Sequence, residues 1–180
     1  MKKKTVKKSK KSVSKSRSCA KKPVQKKSSF PPCVLGKGQK VVRSLELMAG
    51  LENLVLVRET AEKTGLTNGL SARQTTRLKL CVDEAFTNIV RHAYKGKGEC
   101  DHVFVDFIKG PNEFIVCLRD KGTPFRLDSK KLTWPNLEKY IELEKKGGLG
   151  LFVMKKFSDH LEIQNKNGVN ILVLKYKLTK

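Results

Sequence analysis

Three short stretches carry residue types that could act together chemically. In DEAFTNIVRHAY (83–94), Glu84 and Asn88 stand four positions apart. On a helix that spacing puts them about 40° apart around the axis and about 6 Å apart along it. A carboxamide so placed can offer a neutral oxygen to Mg²⁺, and a carboxylate can orient or deprotonate a nucleophile. LRDKGTPF (118–125) directly follows an apolar strand pattern. Its Asp120 can accept a hydrogen bond from an exocyclic amine such as adenine N6, Gly122 leaves room for a flat ring, and Pro124 stiffens the exit. LEKKGGLGLFVMKKF (143–157) sets Gly147, Gly148 and Gly150 just before a helical pattern. Backbone amides in such a loop can wrap phosphates while the helix dipole favours the anion, and Lys145 and Lys146 add positive charge. Each stretch taken singly has a plainer explanation: a surface pair on an amphipathic helix, a strand-ending turn, a hinge. The glycine loop is not a Walker loop, since no GK[ST] follows, and it is not GxGxxG at a βα turn.

Periodicity outlines the elements that must position these residues. Residues 41–49 read as a first strand. From residue 51 the apolar spacing is helical, with Gly65 as a C′ stop. Ser71 and Gln74 form a capping-box signature, and the helix they open is expected to reach about Tyr94. Its buried face is Leu78, Cys81, Val82, Ala85, Phe86, Ile89, Val90 and Ala93. Strands are expected over 102–108 and 113–119, joined by KGPN. A polar stretch to about Lys146 holds WPNLEKYIEL, a short helix started by Pro135. The glycine cluster and its helix span 147 to about 157. Two closing strands, 160–165 and 169–178, flank KNG, a strong hairpin signal. The order β-α-α-β-β-α-α-β-β does not suit a doubly wound parallel sheet. It predicts an α+β sandwich with helices on one face of a largely antiparallel sheet.

Charge divides the chain. Residues 1–40 carry 14 lysines, Arg17 and no acid, a net +15, whereas residues 41–180 net +7. The opening segment is too poor in apolar residues to offset ordering, so a disordered Lys-rich tail (1–40) and one folded domain (41–180) are expected. The tail suits either non-specific attraction to nucleic acid or another acidic surface through counterion release, or a linker or solubility arm with no dedicated partner; the first reading is favoured. Phe30 is its one aromatic, which argues against base stacking. No apolar h-region follows the charged start, and no apolar run approaches the roughly 18 residues of a membrane-spanning helix. Five scattered cysteines form no disulfide framework and suit a reducing cytosol. Cys100–His102 lacks metal-ligand spacing and reads as packing.

In order, ExxxN on a helix, DxGxP after a strand and GGLGL before a helix together resemble the GHKL ATPase superfamily. DEAFTNIVRHAY, DKGTPF and GGLGLF are most similar to its small anti-sigma-factor serine kinases of bacteria, over about residues 41–178. The resemblance implies a two-layer α/β sandwich of the GHKL type that binds ATP and Mg²⁺ in the cytoplasm. Asn88 would ligate the Mg²⁺ bridging the phosphates. Glu84 would be the base or orienting carboxylate for an incoming serine hydroxyl. Asp120 would bind the adenine amine with Gly122 beside the ring. Gly147, Gly148, Leu149, Gly150 and Leu151 would form the phosphate lid. Arg91 and His92 would line the mouth of the site or pack, and Trp134 and Tyr140, between Phe125 and Gly147, would cover the nucleotide or pack. The implied activity is ATP-dependent serine/threonine-protein kinase and anti-sigma factor. Its implied partners are an anti-anti-sigma protein of the STAS type and a sigma factor, with a homodimer as the family-based expectation. None of His92, His102 and His160 sits where a sensor histidine kinase carries its phospho-acceptor. Two features depart from the family pattern: the basic tail, and Asn170 where relatives often carry a small hydroxyl residue near adenine. The alternatives are a non-catalytic ATP-sensing module and a nucleic-acid-associated protein acting through the tail.

Overall fold

The computed structural model describes residues 30, 33, 35–93 (backbone only at 92 and 93), 102–124 and 149–178. Five strands form one antiparallel sheet in the order β1-β2-β3-β5-β4, where β1 is Lys40–Met48, β2 His102–Lys109, β3 Glu113–Asp120, β4 His160–Lys166 and β5 Val169–Lys177. Three α-helices accompany it among the described residues: α1 (Leu54–Thr67, after a 3₁₀ turn at Leu51–Asn53), α2 (Ala72–Asn88) and α3 (Leu149–Phe157). The expected short helix near Pro135 lies outside the described residues.

The helices lie against one face of the sheet. Val57 and Ala61 of α1, Leu78, Val82 and Phe86 of α2, and Met154 of α3 share one core with Val103, Val105 and Phe107 of β2 and Val116 and Leu118 of β3. Alternation along the strands sends Phe104, Ile108, Ile115 and Cys117 to the opposite face. The apolar runs of β2 and β3 are nearly continuous because both faces are covered. Part of the cover comes from ahead of residue 41. Phe30 is buried with its ring 4.3 Å from that of Phe104, and Cys33 packs on the Ile108–Ile115–Cys117 cluster. Phe30 and Cys33, which precede residue 41 in the chain, thus contribute to the cover of this face. The reason is that this outer apolar face needs a lid. Beneath it, Arg119 forms a buried ion pair with Asp106, which also accepts from Ser44 Oγ at 2.6 Å.

The start of α2 matches the capping-box expectation: Ser71 Oγ accepts from Gln74 N–H at 3.3 Å, and Gln74 Oε1 accepts from Ser71 N–H at 3.0 Å. The end of α1 is a correction. Gly65 does not stop the helix, which runs two residues further to Thr67. The stop is Gly69, at φ +102°, with Leu70 N–H donating to the Gly65 carbonyl and Gly69 N–H to that of Leu66. Gly65 serves close packing instead, since a Cβ there would lie 3.1 Å from Leu70 and 3.2 Å from Leu78. KNG does close β4 on β5, with positive φ at Asn167 and Gly168.

Cys81 joins α2 to α3 by donating weakly to the carbonyls of Val153 (3.8 Å) and Met154 (4.0 Å). Burial, aided by the charge of Glu84 and opposed by the Tyr176 hydroxyl, pushes its thiol up from 9.0 to about 11. The neutral thiol is therefore favoured by folding. Its contribution is complete below pH 9.0 and is lost as pH rises to about 11. Urea midpoints are expected to fall across that window, and less steeply in Cys81→Ala; equal slopes in the two proteins would count against this account.

Candidate nucleotide-binding site

The three stretches meet. Asn88 from α2, Asp120 from the end of β3, and Thr123 and Pro124 from the following turn line one cavity of about 160 Å³. Asn170 of β5 completes its polar wall, and Met154, Ile163 and Leu172 supply apolar surface. A slot with apolar walls and a few convergent polar groups suits a flat heteroaromatic ring.

The third stretch joins through a close approach. An added Cβ at Gly150, in the first turn of α3, would overlap Glu84 Oε2 and come within 3.2 Å of Asn88 Nδ2. The absence of a side chain at Gly150 is what lets α3 pack directly over the Glu84–Asn88 pair. Helical geometry alone sets Glu84 beside Asn88; the α2–α3 contact sets both beside Gly150. Leu149 opens α3 half-buried, and Leu151 packs partly buried against the main core. Gly147 and Gly148, with Lys145, Lys146, Trp134 and Tyr140, lie outside the described residues. Asp83, the first residue of DEAFTNIVRHAY, faces away into an ion pair with Arg58 of α1 at 2.7 Å. After Asn88 the helix widens into a π-type turn over Ile89–Ala93, so it continues to the expected neighbourhood of Tyr94 with changed pitch. Arg91 is exposed within that turn, and Tyr94 lies outside the described residues.

At the other end of the cavity, Asp120 is only 4% exposed. A buried carboxylate needs hydrogen-bond donors. Gly122 N–H donates to Asp120 Oδ1 at 2.7 Å, forming a tight turn of the Asp-x-Gly kind, and Asn170 Nδ2 donates to the same oxygen at 2.9 Å. Gly122 thus holds the carboxylate through its backbone N–H. The wall residues Ile163 and Leu172 were not singled out in the sequence; a signal was present, since they pair across β4 and β5 on the inward parity. No group of three or more His, Cys, Asp or Glu side chains able to hold a metal occurs among the described residues.

A sequence profile of the histidine kinase-like ATPase domain matches residues 47–176. The chain belongs to this family. It is 31% identical over 138 residues to the serine-protein kinase RsbW of Bacillus pumilus, covering 73% of this chain and 83% of the relative. Against RsbW of Listeria monocytogenes the identity is 30% over 135 residues, covering 74% and 85%. Among solved structures, the fold is similar to the SiaB–SiaC complex of Pseudomonas aeruginosa, with TM-score 0.51, 13% identity, and coverage of 76% of this chain and 90% of that one. It is also similar to the RsbU and RsbW domains of a Mycobacterium tuberculosis protein, with TM-score 0.51 and 14% identity, covering 77% of this chain and 33% of that one. The sandwich with helices on one face of an antiparallel sheet is thus the fold of a histidine kinase-like ATPase domain. In this domain the cavity lies between the sheet and the α2–α3 pair.

Proposed function

We propose that this chain is a cytoplasmic, ATP-dependent protein serine/threonine kinase and anti-sigma factor, which phosphorylates an anti-anti-sigma protein of the STAS type and sequesters a sigma factor. The observation that carries this reading is the convergence of Asn88 and Asp120 on one cavity, with Gly150 packed against Glu84 and Asn88 at its edge.

Phosphoryl transfer demands mainly positioning and charge neutralisation. Asp120 accepts the exocyclic amine of adenine, and Met154, Ile163 and Leu172 exclude water from the ring. The amides around Gly150, with Gly147, Gly148, Leu149 and Leu151, receive the phosphates at the start of α3. Glu84 takes the proton of the incoming serine hydroxyl as its oxygen bonds to the terminal phosphorus and ADP departs. Mg²⁺ fits the chemistry of the donor set: Asn88, which lines the cavity, carries a neutral carboxamide oxygen one helical turn from the Glu84 carboxylate. One protein oxygen is in keeping with a cation that retains waters and takes its remaining ligands from phosphates, where it neutralises charge. A homodimer is part of the proposal. So is non-specific nucleic-acid attraction through residues 1–40, whose charge of +15 supports it. No described helix is long and apolar enough to cross a membrane.

The test is label transfer from radiolabelled Mg·ATP to a purified STAS-type acceptor. Serine-linked label on the acceptor is expected. Intact ATP binding without transfer would leave a nucleotide-sensing module and remove the kinase.

A further inference from the structure

Register in the sheet sets Asn170 of β5 opposite Asp120 of β3. Asn170 is 7% exposed and lines the cavity. Its Nδ2 reaches Asp120 Oδ1 at 2.9 Å, the Gly122 carbonyl at 3.1 Å and the Thr123 carbonyl at 3.3 Å. Its Oδ1 accepts from Asn165 Nδ2 at 2.8 Å. Acceptors on one side and a donor on the other define which way the amide points. Its two hydrogens and its oxygen are all engaged within the protein. Asn170 therefore acts on a bound base through Asp120 and the turn, not by touching the base.

We propose that Asn170 is a positioning residue that sets nucleobase selection, holding Asp120 so that the cavity presents an acceptor to a 6-amino purine and disfavours a 6-oxo purine. This rests on the nucleotide-binding reading. An ionised carboxylate can only accept, so it rewards an amine at C6 and meets a carbonyl oxygen there as a second acceptor. The effect depends on where the carboxylate plane points. Gly122 N–H anchors Oδ1 from one direction, and the Asn170 amide anchors it from β5 and ties the same nitrogen to the turn that carries Gly122 and Thr123. Asn165 keeps that nitrogen facing Asp120 by occupying the amide oxygen. The exposed tip of the β4–β5 hairpin thus takes part in the choice of base.

Calorimetry on the full chain with Mg·ATP, Mg·GTP and the Mg complex of purine riboside triphosphate, which carries hydrogen at C6, tests the assignment. Asn170→Leu is expected to weaken ATP by about tenfold, the scale of one well-placed hydrogen bond. Binding of the 6-hydrogen nucleotide should change by less than about threefold, so the preference for the amino base collapses. Asn165→Ala, at an exposed position that leaves the core untouched, should shift the same ratio in the same direction by less. It carries the test if Asn170→Leu fails to fold. Equal losses for both nucleotides, or an unchanged ratio in Asn165→Ala, would overturn the role of Asn170 while leaving ATP binding in place. Failure of the wild-type chain to bind Mg·ATP would instead overturn the nucleotide reading itself.

Discussion

Glu84→Gln is expected to lower phosphoryl transfer by about 10²–10⁴-fold, the usual contribution of a positioned general base. Binding of Mg·ATP should stay within about threefold, because the amide keeps the size and shape of the carboxylate while removing its charge and its ability to take a proton and replacing one acceptor oxygen by an NH2 donor. Glu84 is half-buried on α2 and touches the α3 backbone at Gly150, so the isosteric change leaves the α2–α3 contact as it is. Single-turnover transfer and calorimetry on the same preparation separate the two effects. Undiminished transfer would remove Glu84 from the chemistry. A parallel fall in binding and transfer would make it a structural support for the nucleotide.

Gly150→Ala is expected to silence the enzyme by a different route. In an isolated helix alanine exceeds glycine by about 1 kcal/mol, so α3 itself gains. The added methyl group, however, occupies the space of Glu84 Oε2 and crowds Asn88 Nδ2 at 3.2 Å. The end of a half-buried glutamate moves more readily than a packed helix, so the side chain gives way and the fold survives. A misplacement of about 1 Å costs transfer on the order of 10²-fold. The expected result is a melting temperature within a few degrees of wild type together with transfer reduced about a hundredfold. A destabilised protein with normal specific activity would mean that α3, rather than Glu84, had moved. Measuring both variants distinguishes loss of a proton acceptor from loss of its place.

Much of the architecture was legible because its signals are local. The Ser71–Gln74 cap, the Asn167–Gly168 turn and the apolar stripe of α2 each need only neighbouring residues to be recognised, and each stands where the pattern put it. Gly65 was misread because a glycine near a helix end looks the same whether it supplies a positive φ or a gap. Its neighbours Leu70 and Leu78 decide that it is the gap, and Gly69 the turn. The packing of Phe30 on the sheet was not legible for a related reason. One phenylalanine in a lysine-rich segment carries no periodicity, and its value comes from Phe104, distant in sequence.

The candidate site divides in the same way. Residue type and spacing along the chain were enough to pair Glu84 with Asn88, to give Asp120 its turn with Gly122 and to place glycine at the threshold of α3, because these relations arise within one or two turns of backbone. That Gly150 lies against Glu84, that Asn170 stands across from Asp120, and that Met154, Ile163 and Leu172 wall a common cavity depend on helix packing and strand register. Those are set by the simultaneous burial of side chains far apart in sequence, a balance that no short segment contains.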